Sequence, residues 1–93
     1  MFGSIENYYE ILVFDRINRD LRDDPTLTPD HLEDIACLAL NQLKPRYIRN
    51  SIDLLTHISD EERAAMFDEV ERALMFAVET IRRRHSEHGG EVT

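Results

Sequence analysis

The sequence predicts an all-α fold: a small helical domain of three main helices with a short extended or irregular segment, assembled as a homodimer. Three observations lead there. The chain has 93 residues, at or below the usual single-domain size, so it can feed only one core. Apolar residues recur at three- and four-residue spacing over long stretches, the period of an amphipathic helix. Pro25, Pro29, Pro45 and the pair Gly89-Gly90 stand at the edges of those stretches, where they punctuate helices rather than strands. One compact unit over residues 1–84 and a disordered tail over 85–93 is the expected organisation, because the tail lacks any apolar period.

From Ser4, read as an N-cap, the positions Ile5, Tyr8, Leu12, Val13, Ile17 and Leu21 mark a first helix over about residues 5–22. Thr28, Pro29 and Asp30 form a start signal: a capping hydroxyl, proline at the first helical position and an acid complementing the helix dipole. The second helix runs to about Leu43. Its run from Ile35 to Leu40 is continuously apolar, so it is expected to be the central helix, with Cys37 as a buried, inert thiol. Between Pro45 and Ile58 the pattern suits a strand face as well as a helical turn, and the segment reads as extended or mixed. Ser59-Asp60-Glu61-Glu62 is a capping-box sequence opening the longest helix, to about Arg84. Met66, Phe67, Val70, Leu74, Met75, Phe76, Val78 and Ile81 give that helix more apolar surface than one small core uses, which is the reason to expect a dimer.

Charge and composition restrict function. The formal net charge of −8 opposes generic nucleic-acid binding through the phosphate backbone. No apolar stretch reaches the roughly 18–20 residues of a membrane span, and the first residues lack the basic and apolar regions of a secretory signal, so a cytoplasmic protein without membrane partners is expected. A single cysteine leaves no thiolate cluster for zinc. His85 and His88 are three apart but lie in the expected tail without a third ligand, and His31 and His57 have no nucleophile arranged beside them. No metal, no catalytic residue and no enzyme are therefore expected.

The charge is uneven: −6 over residues 1–34, +2 over 35–58 and −4 over 59–93. The basic segment holds Lys44, Arg46 and Arg49 around Tyr47. A planar guanidinium matches phosphate and stacks on a base, so these residues suit a small phosphorylated ligand, although from spacing alone balancing the acids of neighbouring helices is the simpler account of Arg46 and Arg49. Arg82-Arg83-Arg84 suits a helix C-terminus by the dipole argument.

The run Asp34-Ile35-Ala36-Cys37-Leu38-Ala39-Leu40-Asn41-Gln42-Leu43-Lys44-Pro45-Arg46-Tyr47 resembles the signature of the late competence development protein ComFB family. That signature has an acid, a small apolar helix, Leu-Asn, a short step, Pro and Tyr. Asn7 and Glu10 ahead of Leu12-Val13 agree, and Tyr47-Ile48-Arg49, Glu61-Glu62-Arg63 and Met66 are similar to the proteobacterial branch. The resemblance spans roughly residues 5–82. It implies a dimeric, non-enzymatic regulatory protein linked to competence or motility; cyanobacterial members are receptors for cyclic dinucleotides, notably cyclic di-GMP. Lys44 stands where many members have a second proline, and the zinc-binding cysteines of Bacillus-type members are missing. Arg46, Tyr47 and Arg49 are then the candidate ligand-binding residues, for cyclic di-GMP or cyclic di-AMP, and Asn7, Glu10, Asn41 and Pro45 the structural motif. Asn41 is expected to satisfy carbonyls near the helix end. The alternative is a helical dimeric adaptor that binds an unidentified protein partner and no nucleotide.

Overall fold

The computed structural model describes residues 3–49 and 58–89, with side chains as far as residue 86. In chain order the elements are β1 (Glu6–Asn7), α1 (Tyr8–Asp20), α2 (Pro29–Asn41), β2 (Tyr47–Ile48) and α3 (Asp60–Gly89). Three helices carry the fold, as the periodicity predicts. The strands pair antiparallel, Glu6 opposite Ile48 and Asn7 opposite Tyr47. Of the segment expected to be extended or mixed, Pro45–Arg49 is described and contains β2; residues 50–57, including His57, lie outside the described residues.

Two local corrections concern the start of α1. The cap is Asn7, not Ser4: its side-chain oxygen accepts from the Tyr9 N–H at 3.2 Å. Ile5 consequently precedes the helix and is exposed, while Tyr9 joins Leu12, Val13 and Ile17 on the buried stripe. Ser4 has the right chemistry for a cap, but residues 6 and 7 are drawn into the ladder with β2, so helical geometry begins only after them. The α2 start is as expected. Thr28 Oγ1 accepts from His31 N at 3.1 Å, and His31 Nδ1 accepts from Thr28 N at 3.2 Å, a reciprocal capping box with histidine where glutamate is usual.

The helices close around one core. Ile35, Val13 and Val70 are its largest fully buried side chains, one from each helix, with Ala39, Ala77, Met66 and Ile81 filling between. Alanines at 39, 73 and 77 let α2 approach α3 closely, and these two helices share the most extensive contact. The central place of α2 is thus as predicted, but Cys37 is exposed. At 100° per residue it projects about 160° away from both Ile35 and Ala39, and α2 is covered on one side only. A continuous apolar run does not by itself bury a helix all round.

The last helix is longer than the sequence indicates. It passes Arg84 and reaches Gly89, so the fraying expected from residue 85 does not occur as far as that residue. The His85 ring meets the His31 ring edge-on, centroids 5.0 Å apart, which gives this turn a tertiary contact that no apolar period announces. No helix among the described residues is long and apolar enough to cross a membrane.

Candidate functional site

Asn7 organises the site. Besides capping α1, its side-chain oxygen accepts the Arg46 N–H at 2.9 Å, and the Arg46 carbonyl accepts the Tyr8 N–H at 2.8 Å. The first two N–H groups of α1, which a helix leaves without internal partners, are therefore satisfied by Asn7 and Arg46. Asn7 itself is buried. One amide thus ties the α1 start to the chain entering β2 and sets the direction in which Arg46, Tyr47 and Arg49 leave the backbone.

Along β2, side chains alternate. Ile48 is buried at 8% exposure and Tyr47 is 65% exposed; the period of two puts Arg49, which is also exposed, on the outward side with Tyr47. Arg46 turns to the other side, where its Nε lies 3.4 Å from Glu62 Oε1. The candidate ligand residues therefore divide across the strand, Tyr47 and Arg49 outward and Arg46 inward.

Beneath Arg46 lies a cavity of about 350 Å³ between β2 and the first turns of α3, with Tyr9, Lys44, Pro45, Met66, Glu62 and Glu69 on its walls. The Tyr9 hydroxyl donates to Glu69 Oε2. Burial, that hydrogen bond and the neighbouring carboxylates raise the Tyr9 pKa from 10.0 to about 12, partly offset by the Arg46 charge. The phenol keeps its proton and remains a donor at neutral pH. Lys44 and Arg46 face Glu62 and Glu69 across this space, so the basic segment of the sequence is not a basic surface here. Glu62 also departs from the capping box expected of it. Ser59 Oγ accepts Glu62 N at 3.0 Å, but the Glu62 carboxylate reaches Arg46.

The remaining motif residues play smaller parts. Glu10 is exposed in the first turn of α1, where an acid complements the helix dipole. Asn41 is the last residue of α2 and exposed; its amide makes no hydrogen bond among the described residues, so the expected contact with nearby carbonyls is not made. The α2 end closes through backbone instead, Gln42 N to Ala39 O at 3.0 Å and Leu43 N to Leu40 O at 3.2 Å. Pro45 is exposed and walls the cavity. Tyr9 and Glu69 were not singled out from sequence, and Glu62 only as a capping-box acid and within the family resemblance. The spacing Glu62, Met66, Glu69 places them on one helical face, a signal available but unspecific.

Residues 6–85 match the family model described as late competence development protein ComFB. The chain belongs to the ComFB family. The matched span runs from the first residue of β1 to the histidine that packs on His31, and so takes in both strands, the first two helices and all but the last four residues of α3. As a ComFB protein the chain is associated with competence-related regulation. No curated protein and no solved structure matches it. Among the described residues of this ComFB chain, no group of three or more His, Cys, Asp or Glu is placed to hold a metal.

Proposed function

We propose that this ComFB protein is a non-enzymatic, dimeric, cytoplasmic regulator that binds a cyclic dinucleotide through Arg46, Tyr47 and Arg49. The observation carrying this reading is Tyr47, a large aromatic left 65% exposed on a strand whose backbone is pinned by Asn7, with an arginine on each side in sequence. A purine stacks on such a ring, and guanidinium forks meet phosphate oxygens. Cyanobacterial members of the family are receptors for cyclic dinucleotides, which supports the choice of ligand class.

Calorimetric titration with cyclic di-GMP and cyclic di-AMP tests it. Removing one charge-assisted phosphate contact costs about 1.5–3 kcal/mol, so Arg46→Ala and Arg49→Ala are expected to weaken binding about ten- to a hundredfold, with helicity unchanged. Arg84→Ala, at a distance along α3, is the control. Normal binding by both variants would overturn the assignment.

A second reading, a helical adaptor for a protein partner, is favoured by a different observation. Ile11, Phe14, Phe67, Met75 and Phe76 are exposed on α1 and α3. We assign part of this surface to the dimer seam. Phe76 is 44% exposed in the single chain, so Phe76→Glu leaves the fold intact and is expected to dissociate the dimer by placing a charge in an apolar interface. Sedimentation of the wild type as a monomer at about 50 µM would remove the dimer from this account.

A further inference from the structure

The face of α3 turned away from the core carries an order of charges that the single chain does not use. Met75 and Phe76 are adjacent and 66% and 44% exposed. Arg72 and Glu79 stand one on each side of this pair, three residues from it, with Asp68 and Arg83 a helical turn further out, all of them exposed. At 100° per residue these side chains share an arc about 100° wide, opposite the buried Val70 and Ala77. Little inside the chain holds the charges. Asp68 and Arg72 approach only to 3.6 Å, with the side chains 72% and 70% exposed, and Glu79 and Arg83 make no ion pair or hydrogen bond among the described residues. Read outward from the Met75–Phe76 midpoint, Arg72 mirrors Glu79 and Asp68 mirrors Arg83, so reversing the stripe end for end exchanges every acid for a base.

We infer that this face of α3 docks on the same face of a second copy of the chain, antiparallel, in the one register that Asp68, Arg72, Glu79 and Arg83 specify. The inference rests on the dimer reading above and adds orientation and register to it. A two-fold axis through the Met75–Phe76 midpoint performs the reversal: Arg72 meets the second copy's Glu79, Asp68 meets its Arg83 and Met75 packs on its Phe76, each contact being made twice. A parallel pairing would set Arg72 against Arg72 and Glu79 against Glu79. An antiparallel slip by one heptad in either direction produces one or the other of those clashes. Exposed ion pairs contribute little affinity one by one. The attraction therefore comes from Met75 and Phe76, and the charges act by rejecting wrong pairings.

The test is charge exchange, read by sedimentation at about 50 µM with circular dichroism as the check on helicity. It compares the wild type, Arg72→Glu, Glu79→Arg, an equimolar mixture of these two, the double variant carrying both, and Glu33→Arg, an equal charge change on the exposed side of α2. Each single reversal creates like-charge contacts on both sides of the seam and is expected to weaken dimerisation by about tenfold or more. In the mixture the two reversals face each other at one contact and the native residues meet at the other, so heterodimers should form about as tightly as the wild-type dimer. The double variant should recover for the same reason, and Glu33→Arg should dimerise normally. A wild-type dimer that both single reversals leave intact, or that neither mixing nor the double variant restores, overturns this seam while leaving the dimer reading in place. A wild type that sediments as a monomer removes the dimer reading and the seam with it.

Discussion

The two ends of α3 each meet an arginine, and the two arginines are used differently. Near the C-terminal end, Arg82 donates to Asp24 at 2.9 Å and to Thr26 Oγ1 at 3.0 Å, while Asp24 also accepts the Thr26 N–H at 2.8 Å. This closed network fastens the α1–α2 turn to α3. Near the N-terminal end, Arg46 faces Glu62 at 3.4 Å, beyond the usual N–H···O range, and its guanidinium makes no hydrogen bond among the described residues. Arg46 lies in the +2 segment and Arg82 in the −4 segment, yet segment charge does not say which of the two the fold consumes. What distinguishes them is how many of the five guanidinium donors the fold itself consumes. Arg82 is committed to structure, whereas Arg46 retains donors beside a cavity.

Four measurements break or sharpen that contrast. The largest effect is expected from Asn7→Ala, which removes the α1 cap and leaves the Arg46 N–H without its acceptor. The combined cost is about 2–3 kcal/mol in urea unfolding, and Asn7→Asp, which keeps the oxygen, should recover most of it. An unchanged midpoint in Asn7→Ala would mean that the N-terminal end does not depend on this amide.

Tyr9→Phe comes next, at about 1–2 kcal/mol for a hydrogen bond to a charged acceptor, and carries a pH signature. Because folding raises the Tyr9 pKa from 10.0 to about 12, its contribution is complete below pH 10 and lost as the pH rises towards 12. Wild-type protein should therefore destabilise over that window more steeply than Tyr9→Phe. Ultraviolet titration should show one tyrosine ionising well after the others, and coincident ionisation of all three would contradict the burial of Tyr9.

Arg82→Ala should cost less than either, since Arg82 is about half-exposed and Asp24 only partly buried. Bonds from Thr26, and then from Arg82, hold the Asp24 carboxyl below its ordinary value. That contribution is present above the ordinary pKa of 3.8 and fades as the pH falls through the lowered one. Losing Arg82 should flatten the acid limb of the stability profile, visible in thermal melts between about pH 5 and 2. Cys37→Ser should leave stability unchanged, and Ellman's reagent should titrate Cys37 in native protein about as fast as in urea, because the thiol is exposed. Strong native protection would show that a second chain covers this side of α2.

Much of the fold was legible because its signals are local. Thr28-Pro29 and Ser59 with Glu62 mark helix starts through side-chain-to-backbone bonds spanning three residues, and the stripe Leu12, Val13, Ile17 follows from helical pitch alone. Less of the candidate site was legible. Arg46, Tyr47 and Arg49 stood out as a basic, aromatic cluster, yet of the two α3 acids that share the cavity with Arg46, Glu62 was marked only as a capping-box acid and Glu69 carries nothing separating it from other helix acids. Their role depends on how α3 lies against β2, a contact between residues far apart in sequence.

The sequence by itself determined three helices, two of their starts, and the family to which the chain belongs. Each depends on spacing or on short motifs, and interactions over one or two helical turns enforce them whatever the rest of the chain does. Only the tertiary structure decided that Asn7 rather than Ser4 caps α1, that Cys37 faces outward, and that α3 continues to Gly89. Each of these turns on a distant partner: β2 claims residues 6 and 7, the neighbours of α2 cover only one of its sides, and His31 meets His85. Helical periodicity says which residues share a face, but the neighbours that arrive decide which face is buried.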